Sequence, residues 1–220
     1  MMLGVTPRVV GTVSRARTLA QLAGGAQRDC DIVEVRVDLI GEAPENWLEH
    51  ARAIEARGLP VIVTIRLSNE GGQWKQSDEA RLPLIEAALE AITAVDIELR
   101  SSLLDKVSAL ACRHQRALIV SYHNFDKTPS VDELKAVMAK AANYGTVVKV
   151  ATFAQAENDL ATLRALFNEN CSAALCVLGM GPLGSQTRIE FPKLGSCFTY
   201  GYLDEPVAPG QPAARDLMRR

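Results

Sequence analysis

The amino-acid sequence predicts an α/β fold, a (β/α)8 barrel formed by a single domain over residues 1–220. Three observations predict it: eight short apolar runs rich in β-branched residues, amphipathic helix-like segments between them, and charges that alternate with apolar residues within two of the runs. No linker or low-complexity segment divides the chain. Eight such units in 220 residues are typical of a short barrel. A doubly wound open sheet is the alternative.

The eight candidate strands follow one another at intervals long enough for a helix. They are RVVGTV (8–13), DIVEVRVD (31–38), PVIVTIR (60–66), AVDIELR (94–100), ALIVSYH (117–123), GTVVKVA (145–151), SAALCVLGM (172–180) and GSCFTYG (195–201). Two helices have clear ends. PENWLEHARAIEARG (44–58) begins at a proline and ends at a glycine, and VDELKAVMAKAANYG (131–145) follows Pro129 and Ser130 and ends at a glycine.

The polarity of the second and fourth strands favours the barrel over the open sheet. Glu34, Arg36 and Asp38 alternate with valines, and Asp96 and Glu98 alternate with Ile97 and Leu99. Each set of charges therefore lies on one strand face. Central strands of an open sheet are apolar on both faces, whereas inward residues near the mouth of a barrel can be polar. These charges either take part in chemistry or form buried ion pairs.

Composition and charge restrict the class of function. The chain is 48% hydrophobic and 23% charged, with a net charge of -2, which indicates a globular protein and argues against a nucleic-acid-binding polycation. We therefore expect a small-molecule partner. The five cysteines show no CxxC spacing and are expected to be buried free thiols. Without a signal-peptide pattern or an apolar run of membrane-spanning length, a cytoplasmic protein with no membrane contact is expected.

Lys149 is the one charged residue in the apolar run GTVVKVA. Burial lowers the pKa of a lysine toward the range in which the amine is neutral and nucleophilic, although half of a buried ion pair is the alternative. His123 ends the preceding strand, so it reaches the same rim of the barrel. There it can act as general acid and base near neutral pH, a structural histidine being the alternative.

Three loops after strands carry further candidates. IRLSNEGG brings Arg66 and Glu70 either to the mouth of the barrel, where Arg66 can bind a carboxylate, or to a solvated turn. GMGPLG (179–184) matches the dinucleotide pattern GxGxxG, but the next strand ends without the required acid, so an anion site with Arg188 is favoured. LDEPVAPGQPAA (203–214) is a mobile lid or a plain connector.

Several ordered motifs resemble the type I 3-dehydroquinate dehydratase family. They are EVRVD (34–38), TIRLSNEGG (64–72), DIEL (96–99), SYHNFDKTP (121–129), VVKVA (147–151), GMGPLGSQTR (179–188) and APGQ (208–211). The resemblance implies dehydration of 3-dehydroquinate to 3-dehydroshikimate in the shikimate pathway, with neither metal nor cofactor. It also implies a Schiff base between Lys149 and the C3 ketone, with His123 removing the C2 proton and protonating the departing C1 hydroxyl.

The same resemblance implies roles for the remaining candidates. Glu70 would position or tune His123, and Arg188 would pair with the substrate carboxylate. Ring hydroxyls would be held by Glu34 and Arg36. The other pocket residues implied are Arg66, Met180 and Gln211. We also expect a homodimer.

Three positions depart from the family pattern and two other functions stay open. Asn124 stands where many relatives carry aspartate, Val207 where they carry serine, and Tyr200 where phenylalanine is usual. The alternatives are another class I Schiff-base barrel, such as an aldolase acting on a phosphorylated sugar, and a non-catalytic ligand-binding barrel.

Overall fold

Eight parallel strands form the sheet, in the order β7-β6-β5-β4-β3-β2-β1-β8. The computed structural model describes residues 7–26, 29–41 and 46–219. The strands are β1 Arg8–Val13, β2 Ile32–Arg36, β3 Val61–Thr64, β4 Ala94–Glu98, β5 Ala117–Asn124, β6 Val147–Phe153, β7 Ala174–Met180 and β8 Phe198–Tyr202. The Cys197 amide donates to the Leu175 carbonyl at 2.8 Å, which joins the start of β8 to β7. The predicted (β/α)8 barrel is confirmed, and the open sheet is wrong.

Helices follow the strands in the predicted alternation. They are α1 Ala16–Ala23, α2 Trp47–Ala56, α3 Leu82–Ala91, α4 Leu104–Arg113, α5 Val131–Ala142, α6 Glu157–Ala165, α7 Gly181–Gly184, α8 Thr187–Leu194 and α9 Ala214–Met218. Single 3-10 turns cover Ser68–Glu70, Glu79–Arg81 and Leu166–Asn168. Within the described ranges, none of these helices is both long and apolar enough to cross a membrane.

The two helices predicted with clear ends are present. The α5 helix begins with a capping box, because the Ser130 hydroxyl accepts from the Glu133 amide at 3.3 Å and the Glu133 carboxylate accepts from the Ser130 amide at 2.8 Å. The α2 helix begins at Trp47, and the proline predicted to open it, Pro44, lies outside the described residues.

Three predicted strands, β2, β3 and β4, end two residues earlier than expected, and at β2 and β4 the chain turns there. At the end of β2 the amides of Leu39 and Ile40 donate to the Arg36 carbonyl, and at the end of β4 the Ser101 amide donates to the Glu98 carbonyl. Asp38 therefore lies in a turn, beyond the strand that was expected to contain it. The predicted alternation of charged and apolar residues along the strand therefore ends at Arg36 and does not include Asp38.

Period-two alternation sorts the strand residues into two environments. Outward side chains such as Val33, Val63 and Val120 are fully buried in the core cluster between strands and helices. Inward side chains at the N-terminal end of the barrel form a second apolar cluster that includes Val10, Ile32, Ile62, Ile119 and Phe198. Polar inward residues are thereby left to the C-terminal half of the barrel, which is where active sites of this fold lie.

The glycines of GMGPLG serve close backbone packing. A Cβ atom on Gly184 would lie 2.4 Å from the carbonyl carbon of Gly179, so only glycine permits this approach. The Thr187 hydroxyl accepts from the Gly179 amide at 2.9 Å, which ties the end of β7 to the start of α8. This turn sets the position of Arg188, the next residue of α8.

Candidate active site

One pocket opens at the C-terminal end of the barrel, and it is lined by all nine residues to which the family resemblance assigns a role. These nine residues are Glu34, Arg36, Arg66, Glu70, His123, Lys149, Met180, Arg188 and Gln211. Eight of them lie on strands or in the segments that directly follow strands, as the barrel topology requires, and Arg188 lies in α8. The structure thus brings the set together, while the role of each residue stays a prediction.

Lys149 is buried and ion-paired. Its Nζ atom lies 3.0 Å from Asp96 Oδ2 and 3.9 Å from Glu34 Oε1, and the side chain is 7% exposed. The aromatic ring of Tyr200 covers the same amine, with 4.4 Å between Nζ and the ring centroid. The sequence left a neutral amine and a buried ion pair as alternatives, and the geometry is that of an ion pair placed at the pocket.

Asp96 joins Lys149 to a second cation. Its Oδ1 atom accepts from Arg66 Nη2 at 2.8 Å and from the Ser121 hydroxyl at 2.7 Å. Burial by itself would raise the pKa of Asp96, but the positive charges of Arg66 and Lys149 hold that pKa well below its usual range. The carboxylate therefore stays ionised beside the amine. Sequence reasoning named Asp96 only as an ambiguous charge, since its alternation with Glu98 fits a structural ion pair equally well.

Glu34 is held by two hydroxyl groups that the sequence did not single out. Its Oε2 atom accepts from Thr12 Oγ1 at 2.9 Å, and its Oε1 atom accepts from Thr64 Oγ1 at 2.8 Å. These threonines sit on the strands at either side of Glu34, and Thr12 pairs with Glu34 in the strand register. Gln211 reaches the same group, with Nε2 3.4 Å from Thr12 Oγ1.

His123 and Glu70 form a buried pair. His123 Nδ1 lies 3.2 Å from Glu70 Oε2, and both side chains are almost fully buried. Burial, together with the positive charges of Arg66 and Lys149, lowers the pKa of His123 well below its ordinary value, so its imidazole is neutral at neutral pH. Burial also raises the pKa of Glu70 to about 7, although the positive charges of Arg66 and Arg100 oppose the rise.

The three arginines of the pocket differ in how many of their donors are already used. Arg36 makes two hydrogen bonds to the Asp38 carboxylate, at 2.9 and 2.8 Å. Arg66 is bound by Asp96, Ser121 and Glu98.

Arg188 differs from both. Its Nη1 atom donates to the Tyr200 carbonyl at 2.8 Å, but its Nε atom has no hydrogen-bond partner within residues 7–26, 29–41 and 46–219. Burial without a carboxylate partner lowers its pKa to about 10, which still leaves the guanidinium charged at neutral pH. Arg188 is therefore a buried pocket cation with one donor that no described residue uses.

The three departures from the family pattern have distinct surroundings. The Asn124 side-chain oxygen accepts from the amides of Asp126 and Lys127, both at 3.0 Å, so Asn124 shapes the turn after β5. Val207 lines the pocket, and its amide donates to Gln211 Oε1 at 2.9 Å. The Tyr200 hydroxyl is buried in the pocket and has no hydrogen-bond partner in the described part of the chain.

Comparisons with known proteins agree with this geometry. A model of a family described as type I 3-dehydroquinase matches residues 9–219. The chain belongs to this family. A 3-dehydroquinate dehydratase of Methanocella arvoryzae is 35% identical over 206 residues, which are 93% of this chain and 91% of that protein. One from Methanococcoides burtonii is 32% identical over 220 residues, covering 97% of this chain and 92% of its own length.

A solved structure supports the same family. The crystal structure of 3-dehydroquinate dehydratase from Geobacillus kaustophilus HTA426 is 29% identical, with a TM-score of 0.88 over 98% of this chain and 90% of that chain. The predicted family and the prediction of an enzyme are confirmed. Among the described residues there is no cluster of three or more histidine, cysteine or carboxylate side chains arranged to hold a metal ion.

We predict that Glu70 makes the stability of the fold depend on pH. Its pKa is about 7 in the folded protein against an ordinary value of 4.5, so between these values the folded state holds a proton that the unfolded chain has lost. The contribution of Glu70 to the free energy of unfolding is therefore present at low pH and is lost as pH rises through about 7. Glu70→Gln carries no such proton.

Urea unfolding of both proteins at about pH 4 and about pH 8 checks this prediction. The free energy of unfolding of the wild type, relative to Glu70→Gln, should fall by roughly 2 to 3 kcal/mol over this interval. A difference that stays constant with pH, or rises, contradicts it.

Proposed function

We propose that this chain dehydrates 3-dehydroquinate to 3-dehydroshikimate through a Schiff base on Lys149, with His123 as the general acid and base. The observation that carries the proposal is that Lys149, His123 and Arg188 line one pocket. An amine, a neutral base and a cation free to bind a carboxylate are the groups that this reaction needs. Membership of the type I 3-dehydroquinase family supports the same reaction.

In the proposed first step, the Lys149 amine attacks the C3 ketone and the carbonyl oxygen leaves as water. The resulting iminium carries the positive charge that the ammonium carried before. Asp96, at 3.0 Å from Nζ, and Glu34, at 3.9 Å, can therefore stabilise both states without moving. Attack requires the neutral amine, so the ammonium has to give up its proton before this step.

In the proposed second step, His123 removes the C2 proton and the iminium accepts the electron pair. His123 then gives the proton to the C1 hydroxyl, which leaves as water, and hydrolysis of the iminium releases the product. The lowered pKa of His123 supports this role, because a base has to be unprotonated before it acts. When Glu70 is ionised it accepts from Nδ1–H, which leaves the lone pair on Nε2 available.

We propose Arg188 as the group that binds the substrate carboxylate. Arg36 and Arg66 already bind carboxylates of the protein, whereas Arg188 has a free buried donor. A carboxylate placed there removes the cost of a buried cation without a counter-charge. Glu34 and Arg36 would bind ring hydroxyls, and Gln211 and Met180 would line the substrate site, with Met180 as an apolar wall. Arg66 holds Asp96.

We also propose the wider setting of the reaction. Residues 1–220 would act as one catalytic domain, which is supported by the single barrel and by the family match over residues 9–219. The enzyme would work in the shikimate pathway of aromatic amino acid biosynthesis, as a homodimer in the cytoplasm. The 3-dehydroquinate dehydratases to which it is similar support the pathway assignment.

An absorbance assay tests the proposed reaction, because the product is an enone that absorbs in the ultraviolet. Purified wild-type protein should turn over 3-dehydroquinate. Lys149→Ala should lose at least about a thousandfold in kcat, since it loses the covalent step. Lys106→Ala, which removes a largely exposed amine 3.7 Å from Glu86, is the matched control and should keep wild-type activity. Wild-type protein that binds 3-dehydroquinate without turnover would favour the ligand-binding barrel.

The carboxylate assignment predicts a selective effect of Arg188→Gln. KM for 3-dehydroquinate should rise by about a hundredfold, because charge-assisted hydrogen bonds to the carboxylate of about 3 kcal/mol in total are lost. Arg164→Gln, which removes a guanidinium bound to Glu190 outside the barrel, should leave KM unchanged. An unchanged KM in Arg188→Gln would contradict the assignment, and a requirement for a phosphorylated substrate would favour the aldolase alternative.

A further inference from the structure

A buried row of alternating charges leads from Lys149 to Arg81, a residue that does not line the pocket. Lys149 Nζ lies 3.0 Å from Asp96, and Asp96 lies 2.8 Å from Arg66 Nη2. Arg66 Nη1 is in turn 3.3 Å from Glu98, and Glu98 is 2.8 Å from Arg81 Nη1. Each of these side chains is at most 7% exposed, so water screens the interactions little.

Arg81 is fixed at the far end of this row. It is 0% exposed, and its Nε atom donates to Asp78 Oδ1 at 3.0 Å. Its Nη2 atom donates to the Ser101 hydroxyl at 3.2 Å. A second donation from Nη1 goes to the Ile65 carbonyl, at 2.5 Å. The guanidinium therefore has one orientation, which presents a positive charge to Glu98.

Arg81 and Glu98 together hold the backbone on both sides of Arg66. Arg81 binds the carbonyl of Ile65, and the Glu98 carboxylate accepts from the amide of Leu67 at 2.9 Å. Arg66 therefore enters the barrel from a segment that is fixed at the residue before it and the residue after it. This arrangement determines how the Arg66 guanidinium is shared between Asp96 and Glu98.

We propose that Arg81 and Glu98 are positioning residues that control, through Arg66 and Asp96, how readily Lys149 gives up its proton. The inference rests on the proposed role of Lys149 as the nucleophile. Arg81 offsets the charge of Glu98, which leaves Arg66 available to offset the charge of Asp96. Without Arg81, the Arg66 guanidinium is drawn toward Glu98, and Asp96 then stabilises the Lys149 ammonium more strongly.

Other groups also face the Lys149 amine, and the substitutions described in the next paragraphs leave them in place. Glu34 faces it from β2, and the Tyr200 ring covers it from β8. His123 and Cys176 interact with it electrostatically from β5 and β7. Since these groups are unchanged in every variant, differences between variants in the proton affinity of Lys149 measure the effect of the row of charges.

The test measures the proton affinity of Lys149 without substrate. Wild-type protein and variants are treated briefly with acetic anhydride over a range of pH, and acetylation of Lys149 is measured by peptide mass spectrometry. Arg81→Met should move the pH midpoint for Lys149 upward by about half to one pH unit, because a positive charge is lost from the row. Glu98→Gln should move it downward by a similar amount, because a negative charge is lost.

The double variant Arg81→Met with Glu98→Gln restores the charge balance and should return the midpoint close to the wild-type value. Arg81→Lys, which keeps the charge, should shift it less than Arg81→Met or Glu98→Gln does. Arg164→Met removes an arginine paired with Glu157 and Glu190 outside the barrel and should leave it unchanged. Circular dichroism shows whether each variant is folded, and the acetylation of exposed lysines serves as an internal reference for the reagent.

Shifts of the same sign in Arg81→Met and Glu98→Gln, or no shift in Glu98→Gln, would overturn the inference, because structural damage alone does not produce opposite signs. If Arg81→Met does not fold, Glu98→Gln and Arg81→Lys still decide the question. Turnover of 3-dehydroquinate by the wild type is measured separately, so a failure of the proposed reaction is distinguishable from unchanged midpoints.

Discussion

The structure of the pocket depends on one interaction, the buried ion pair between Lys149 and Asp96. Both side chains are almost completely removed from water, which costs each charge several kcal/mol unless it is paired and hydrogen-bonded. The protein meets this cost with Ser121 and Arg66 on Asp96 and with Glu34 near the amine. The same carboxylates can hold the iminium of the proposed intermediate, so the arrangement suits the amine before and after it reacts.

We propose that the uneven use of polar groups around the pocket orients the substrate. Near Lys149, the donors of Arg66 and the acceptors of Asp96 and Glu34 are bound within the protein. Near β8, Arg188 Nε and the Tyr200 hydroxyl are buried without hydrogen-bond partners in the described residues. A ligand gains most by placing its charged group beside Arg188, which leaves its ketone to meet the amine.

The barrel was predictable because helices outside and a mouth at one end impose different polarity on the two strand faces. The difference in polarity appears in the sequence as the alternation of Glu34, Arg36, Asp96 and Glu98 with apolar residues. The structure confirms that these four residues lie on β2 and β4. Strand ends were less predictable, as at Asp38, because local turns after Arg36 and Glu98 compete with further sheet pairing. The pocket residues at strand ends followed from the topology, since parallel strands deliver their last residues to one rim, whereas Met180 and Gln211 came only from the family resemblance.

The sequence does not reveal the role of residues whose effect depends on distances across the barrel. Asp96 was ambiguous until its carboxylate was located at the Lys149 amine, and Arg81, on a short turn before α3, belongs to no strand pattern at all. The central claim is that Lys149 reacts covalently with the substrate, and borohydride reduction in the presence of 3-dehydroquinate tests it most directly. The account predicts loss of activity together with a stable mass adduct on the Lys149 peptide. An adduct on another residue, or turnover that borohydride leaves intact, would contradict it.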